Sequence, residues 1–332
     1  MPNHIKKVSS DEVISSVYPQ VATVKTQPWV VAASAKLDPF ENCRSIDLKV
    51  MFSTEPAPLD MVLHGLLIGT IGPMTSPGGA GKIMFATQAA LQVATGRDTL
   101  GMGEIKRGRV VIFSGEDPET ALHHRLFTMA QQFSFSQTEI EDAVKNLVII
   151  PTIGKSMNIL DKHVMHGIKA RTADARLIVF DTLTRYHTLD ENKAEDAKRI
   201  MAALEELAYT QNAACIFPHH VSKASANSGM ASLQQAARGS SVFVDNARWS
   251  SFLAAMTQEE SKMLGIKNDP DYHRKFLRWN VNKQNYSAPI KDLWLERKKG
   301  GVLAPADFNF ISQKAEKYTV AAQQGGRKNG AC

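Results

Sequence analysis

A glycine-rich segment, Ser76–Lys82, follows an apolar run and ends in a lysine where a helix is predicted to begin. Because glycine allows backbone conformations closed to other residues, successive N–H groups of such a segment can point inward at a polyphosphate. The lysine adds a positive charge for the β- and γ-phosphates, and the amino end of the helix favours an anion. The sequence therefore predicts a phosphate-binding loop for ATP, formed by Ser76, Pro77, Gly78, Gly79, Ala80, Gly81, Lys82 and Ile83.

Ile83 occupies the position at which such loops usually carry Ser or Thr, whose hydroxyl binds Mg²⁺. Thr75 precedes the loop and Thr87 lies one helical turn beyond it, and neither stands where the missing hydroxyl would be. An ordinary glycine-rich turn before a helix is the simpler alternative. We expect ATP and Mg²⁺ as cofactors, and two alternatives stay open: full hydrolysis, or nucleotide binding with weak hydrolysis.

Carboxylates and histidines follow the predicted strands that come after this loop. Ligands of parallel sheets bind at the carboxyl ends of the strands, so these side chains are candidates for chemistry. Glu116 could accept a proton from the attacking water, with Asp117 capping the next helix, although an acidic helix start explains both equally. Asp181 ends an apolar run and could bind the metal. Of His219 and His220, at most one should face the nucleotide, because adjacent strand residues point to opposite faces.

The elements that would position these residues form an alternating pattern. The predicted strands are Leu66–Thr70, Val110–Ser114, Leu147–Pro151, Leu177–Phe180 and Ala214–Phe217, and the predicted helices are Lys82–Thr95, Thr120–Phe133, Lys162–Arg171 and Ala194–Gln211. Apolar strands that alternate with helices predict an α/β fold, a doubly wound, mostly parallel sheet with helices on both faces. Three further β segments, Val242–Leu253, Lys275–Val281 and Leu293–Arg297, predict a β-rich C-terminal edge.

Composition places the chain among globular proteins without a membrane span. It has 332 residues, 43% of them hydrophobic, and no run approaches the roughly 20 apolar residues that cross a bilayer. Three widely spaced cysteines favour a reducing compartment, so we expect a cytoplasmic protein. A net charge of +6 is compatible with a polyanionic partner. We predict an N-terminal extension over 1–47, a core over 48–306 and a disordered tail over 307–332.

Residues 221–244 contain no carboxylate and are rich in Ser, Ala and Gln. Long polar loops in compact domains are usually functional, and a simple flexible linker is the alternative. Lys223 and Arg238 could meet phosphates of single-stranded DNA without reading bases, because the segment offers little aromatic surface for stacking. We therefore predict that these two cations bind DNA.

An ordered set of motifs resembles the RepA-type hexameric replicative DNA helicases of IncQ plasmids, which are RecA-like ATPases. The motifs are Pro58–Asp60, Ser76–Lys82, Gly115–Pro118, His123–Leu126, Asp181–Leu183, His219–Lys223, Arg238–Ser241, Val244–Trp249 and Lys283–Tyr286. The resemblance covers about residues 48–306, and the order of the motifs is far more specific than the phosphate-binding loop alone.

This resemblance implies a homohexameric ring that binds ATP between subunits and moves along single-stranded DNA in plasmid replication. It implies that Glu116 activates water, that Asp181 works with Mg²⁺ and that His220 senses the γ-phosphate. It also implies an arginine finger supplied across the interface, Arg248, with Arg238 as the competing candidate. A replication initiator and a primase are further partners that it suggests. A filament-forming recombination or repair ATPase on the same core is the remaining alternative.

Overall fold

The computed structural model describes residues 43, 45–220, 241–264, 272–306 and 308. The chain divides into two compact units, residues 1–57 and 58–332. In the first unit the described residues form one short helix, α1 (Leu48–Ser53), which begins at Asp47. The Asp47 carboxylate accepts hydrogen bonds from the backbone N–H groups of Lys49 and Val50 and so satisfies the amino end of the helix.

A nine-stranded sheet forms the centre of the second unit. In order across the sheet the strands are β11 (Leu303–Pro305), β10 (Leu293–Arg297), β9 (Phe276–Gln284), β8 (Trp249–Ala255), β3 (Ile71–Ser76), β7 (Ala214–His220), β6 (Ala175–Asp181), β4 (Arg109–Ser114) and β5 (Leu147–Pro151). The six strands from β8 to β5 are parallel, and β9, β10 and β11 each run antiparallel to the strand before them. This confirms the mostly parallel sheet with a β-rich C-terminal edge.

Helices cover both faces of this sheet. They are α2 (Lys82–Thr95), α3 (Glu119–Gln132), α4 (Gln137–Asn146), α5 (Lys162–Arg171), α6 (Ala194–Gln211), α7 (Ser241–Asn246) and α8 (Gln258–Met263), with short 3₁₀ turns at Leu183–Tyr186, Tyr272–Lys275 and Lys299–Gly301. Alternate residues of β6 enter different cores: Leu177 and Val179 pack with α2, whereas Ile178 and Phe180 pack with α5 and α6. None of the helices within the described ranges is long and apolar enough to cross a membrane.

The strand that leads into the phosphate-binding loop begins later than the sequence predicted. The prediction over Leu66–Thr70 is wrong, because β2 (Leu66–Leu67) turns back to pair with β1 (Met61–Leu63). Gly65 and Gly69 adopt φ of +73° and +76° and end each arm of this hairpin. The strand that carries the loop is β3, which ends at Ser76.

The C-terminal half contains a further difference from the predicted elements. The predicted β segment Val242–Leu253 is the helix α7 followed by β8, because Phe243 and Ala247 pack into the core beside α6. Lys283 Nζ donates to the carbonyl oxygens of Val244 and Asp245 and so caps the end of this helix.

The helix α4 was not predicted from the sequence, because it has few apolar residues. A capping box between Ser136 and Glu139 marks its start. Phe308, a residue of the predicted tail, packs edge-on against Phe276 and Trp294.

Candidate nucleotide-binding site

The phosphate-binding loop joins β3 directly to α2. Gly79 and Gly81 adopt φ of +76° and +91°, conformations that side chains other than glycine rarely tolerate. Gly81 is the N-cap of α2 and Lys82 is its first residue, so the free N–H groups of the helix end face the loop. A Cβ placed on Gly78 or Gly79 would meet no atom within 4 Å, which leaves the space above the loop open for a ligand.

Lys82 is 5% exposed and carries its charge into this space. Burial lowers the pKa of its ammonium group, while the nearby carboxylates of Glu116 and Asp181 oppose that effect. Nζ of Lys82 lies 3.0 Å from Nδ1 and 2.6 Å from Nε2 of His220, the last residue of β7. Burial and the charge of Lys82 lower the pKa of His220, which favours the neutral imidazole as the acceptor.

The hydroxyl groups around Ile83 are already bound to carbonyl oxygens. Thr87 Oγ1 donates to the carbonyl oxygen of Ile83 at 2.8 Å, and Thr75 Oγ1 donates to that of Ser251 at 2.9 Å. Ser76 Oγ donates to the carbonyl oxygen of Pro77 at 3.1 Å. None of these three hydroxyls replaces the one that Ile83 lacks.

Glu116 follows β4 at the carboxyl edge of the sheet. Its Oε1 accepts a hydrogen bond from Thr182 Oγ1 at 3.0 Å and lies 3.6 Å from Nε of Arg185. Thr182 and Arg185 follow the neighbouring strand β6, so two groups from one segment orient this carboxylate. A half-buried carboxylate with fixed direction is suited to accept a proton from water.

Asp181 is the last residue of β6 and is 3% exposed. Its Oδ1 has no hydrogen-bond partner among the described residues. Burial, followed by the negative charges of Asp117 and Glu116, raises the pKa of Asp181 to about 7. A cation would compensate the cost of ionising this group, so the residue fits the magnesium that a bound nucleotide would bring.

The donor set also fits a metal held chiefly by its ligand. Within the described ranges no group of three or more His, Cys, Asp or Glu side chains is arranged to hold an ion. Magnesium in nucleotide sites is commonly bound by phosphates, water and one or two carboxylates rather than by a complete protein cage. Asp181 could therefore hold Mg²⁺ directly or through water.

Asp117 does not cap the helix that follows it. The N-cap of α3 is Pro118, and the Asp117 carboxylate is bound at 2.6 Å by the guanidinium of Arg125 on that helix. Arg125 acts in turn on Asp181, because its positive charge partly offsets the effects that raise the pKa of that carboxyl group. Sequence reasoning missed this ion pair, although a spacing of eight residues across a helix start allows the contact.

A second carboxylate-centred group lies beside the end of β7. Glu191 accepts hydrogen bonds at 2.9 Å from Nε2 of both His187 and His219. Burial alone would raise the pKa of Glu191, and these two hydrogen bonds lower it to about 2. His219 and His220 therefore serve different partners, and it is His220 that contacts the lysine of the loop. Sequence reasoning missed Glu191, which lies in a polar segment without a recognisable motif.

Arg248 lies away from the phosphate-binding loop of its own chain. It is exposed and directly precedes β8, which runs parallel to β3 with Ser251 opposite Met74. The loop follows the carboxyl end of β3, so Arg248 sits at the opposite edge of the sheet, roughly 16 Å away along the strands. The predicted DNA contacts Lys223 and Arg238 lie outside the described residues.

Comparison with known proteins agrees with this architecture. The fold resembles the crystal structure of the RadB recombinase, at 13% identity over 73% of this chain and 93% of that chain, with a TM-score of 0.47. It also resembles a solved ATPase domain of another protein, at 12% identity over 78% of this chain and 96% of that chain, with a TM-score of 0.51. The latter likeness confirms the predicted RecA-like α/β fold. A family model described as an AAA domain matches residues 41–226, more than half of the sequence, and the chain therefore belongs to this AAA domain family.

Proposed function

We propose that this protein is an ATP-dependent replicative DNA helicase, a cytoplasmic homohexameric ring that moves along single-stranded DNA in plasmid replication. The observation that carries the ATPase part is the convergence of three groups at one edge of the sheet. Lys82 is buried after β3, Glu116 is held after β4, and Asp181 at the end of β6 has a buried Oδ1 to which no described residue donates. Membership of the AAA domain family and the RecA-like fold support the same activity.

Each residue has a distinct task in this proposal. The loop N–H groups and Lys82 bind the phosphates, and bound Mg²⁺ would supply neutralisation of the developing negative charge. Asp181 would hold the metal, directly or through water. Glu116 orients the attacking water and accepts its proton, while Thr182 and Arg185 fix the direction of its carboxylate.

The ring and its DNA substrate rest on different support. The ordered motifs over residues 48–306 resemble RepA-type helicases of IncQ plasmids, and the position of Arg248 suits a residue that serves a neighbouring subunit rather than its own loop. An arginine finger supplied in this way can raise the rate by about 10³–10⁵-fold. Lys223 and Arg238 would contact single-stranded DNA, and a replication initiator and a primase would be its partners in plasmid replication.

A second candidate function is favoured by Ile83. A ring that binds ATP and DNA but hydrolyses ATP slowly would use nucleotide as a gate rather than as fuel. The absence of a free hydroxyl near Ile83 among Ser76, Thr75 and Thr87 is the observation that supports it. A recombination or repair ATPase, which would form filaments, is the third alternative.

The test combines hydrolysis, unwinding and assembly. The helicase predicts ATP hydrolysis stimulated by single-stranded DNA, displacement of a strand from a forked duplex, and closed rings in electron micrographs. Hydrolysis without displacement, or filaments in place of rings, would contradict it. A mixture of Lys82→Ala and Arg248→Ala proteins, each inactive alone, should recover part of the ATPase rate, because some interfaces then combine an intact lysine with an intact arginine.

A further inference from the structure

Arg297 reaches the phosphate-binding loop from a distant strand. It is the last residue of β10, which lies three positions from β3 in the sheet. Because β9 is antiparallel to both β8 and β10, β10 runs in the same direction as β3, and both strands end at the same edge. Its Nη2 donates to the carbonyl oxygen of Ala80 at 2.9 Å and lies 3.4 Å from that of Gly79.

The charge of this guanidinium has no carboxylate partner among the described residues. The neighbouring carboxylate of Glu296 is bound by Lys275 at 2.8 Å and by Lys298 at 2.5 Å. Arg297 is half-buried, and its guanidinium donates to carbonyl oxygens of the loop. A charged donor in this setting binds carbonyl oxygens more strongly than a neutral one does.

These contacts fix the direction of the peptide groups in the loop. In a planar trans peptide the carbonyl oxygen and the N–H point to opposite sides. The carbonyl oxygen of Ala80 faces Arg297, so the N–H of Gly81 faces away from it. The carbonyl oxygen of Gly79 is likewise on the arginine side, and the N–H of Ala80 makes only a long bond, 3.3 Å, to the carbonyl oxygen of Pro77. A Cβ on Gly81 would lie 3.1 Å from Nη1 of Arg297, so the guanidinium packs directly against the loop.

We propose that Arg297 is a positioning residue for nucleotide binding, which holds the peptide groups of Gly79, Ala80 and Gly81 so that the N–H groups of Ala80 and Gly81 meet the phosphates. The inference rests on the proposed ATP binding and adds the last strands of the chain to the nucleotide site. It assigns Arg297 no contact with the γ-phosphate. Its effect should therefore be equal for ATP and ADP, because both carry the phosphates that the loop surrounds.

The experiment compares Arg297→Met with Lys298→Met, a control that removes a neighbouring positive charge bound to Glu296. Affinities for fluorescent ATP and ADP analogues are measured by anisotropy in the full-length protein, together with kcat and thermal stability. We expect Arg297→Met to raise the Kd for both nucleotides about tenfold, or about 1.4 kcal/mol, with kcat at saturation nearly unchanged. Lys298→Met should change neither Kd. Arg297→Lys should give intermediate values, because one ammonium group can hold a single carbonyl.

Two results would overturn the inference. An unchanged Kd for both nucleotides would show that the contact is incidental, and a loss of ATP affinity with unchanged ADP affinity would show a direct contact with the γ-phosphate. If Arg297→Met lowers the melting temperature, Arg297→Lys decides between the outcomes by the same comparison of ATP with ADP. Failure of the unmodified protein to bind either nucleotide would instead refute the proposed function, and with it this inference.

Discussion

Nζ of Lys82 lies 2.6 Å from Nε2 of His220, so the lysine of the phosphate-binding loop is joined to the residue that directly precedes the predicted DNA segment. A phosphate that enters the loop would compete with the imidazole for the same ammonium group. Release of His220 could then report nucleotide occupancy to residue 221 and beyond. The adjacent His219 is held by Glu191, which fixes the preceding residue of β7 while His220 responds.

The first prediction concerns this contact. His220→Gln should preserve ATP binding within about threefold, since Lys82 and the loop N–H groups remain, but it should abolish stimulation of hydrolysis by single-stranded DNA. The measurement is the ATPase rate with and without DNA, at saturating ATP. His124→Gln, at an exposed histidine on α3, is the control and should retain full stimulation. Normal stimulation in His220→Gln would mean that this contact does not transmit the nucleotide state.

The second prediction separates chemistry from binding. Glu116→Gln removes the group that accepts the proton of water, so kcat should fall by about 10²–10⁴-fold while the Kd for ATP changes little. Single-turnover hydrolysis and analogue binding measure the two quantities independently. Glu119→Gln, in the first turn of α3, is the matched control because its side chain is exposed. An equal loss in both variants would argue against a catalytic role for Glu116.

The third prediction concerns the missing hydroxyl. Ile83→Ser supplies the usual metal ligand, so the Mg²⁺ concentration that gives half-maximal ATPase rate should fall several-fold. Rates are measured across a Mg²⁺ titration at fixed ATP, with Ile83→Ala as the control for loss of the bulky side chain. If Ile83→Ser and the unmodified protein show the same Mg²⁺ dependence, another group already completes the metal site.

The fourth prediction follows from the pKa of about 7 for Asp181, compared with its ordinary value of 3.8. Between these values the folded state binds a proton that the unfolded state has lost, so the free energy of unfolding decreases as the pH rises toward 7. The cost at higher pH is at most about 4 kcal/mol. Asp181→Asn should therefore raise the melting temperature at pH 8, without nucleotide or metal, and give no gain below pH 4.

Melting temperatures of both proteins from pH 4 to pH 8 provide the check. Asp190→Asn is the control, since Asp190 is exposed and its pKa is lowered by hydrogen bonds from Asn192. A gain from Asp181→Asn that is the same at every pH would show that packing, rather than ionisation of Asp181, sets the difference.

Several parts of the fold follow from local sequence. The helices Lys82–Thr95, Lys162–Arg171 and Ala194–Gln211 and the strand Leu147–Pro151 have the predicted bounds. The strand over Leu66–Thr70 and the β segment starting at Val242 were wrong, because apolar and β-branched residues occur equally in hairpins and in buried helices. Pairing partners and neighbouring helices decided those segments, and neither is visible in a local pattern.

The sequence by itself determined the phosphate-binding loop, since glycine spacing and a terminal lysine encode its chemistry locally, and it placed Glu116 and Asp181 at strand ends. Only the tertiary structure decided which side chains share that edge. Lys82 meets His220, Arg125 meets Asp117, and Arg297 meets the loop from a strand more than two hundred residues away in sequence. Such contacts depend on the order and direction of strands across the sheet, which arise from packing of the whole chain.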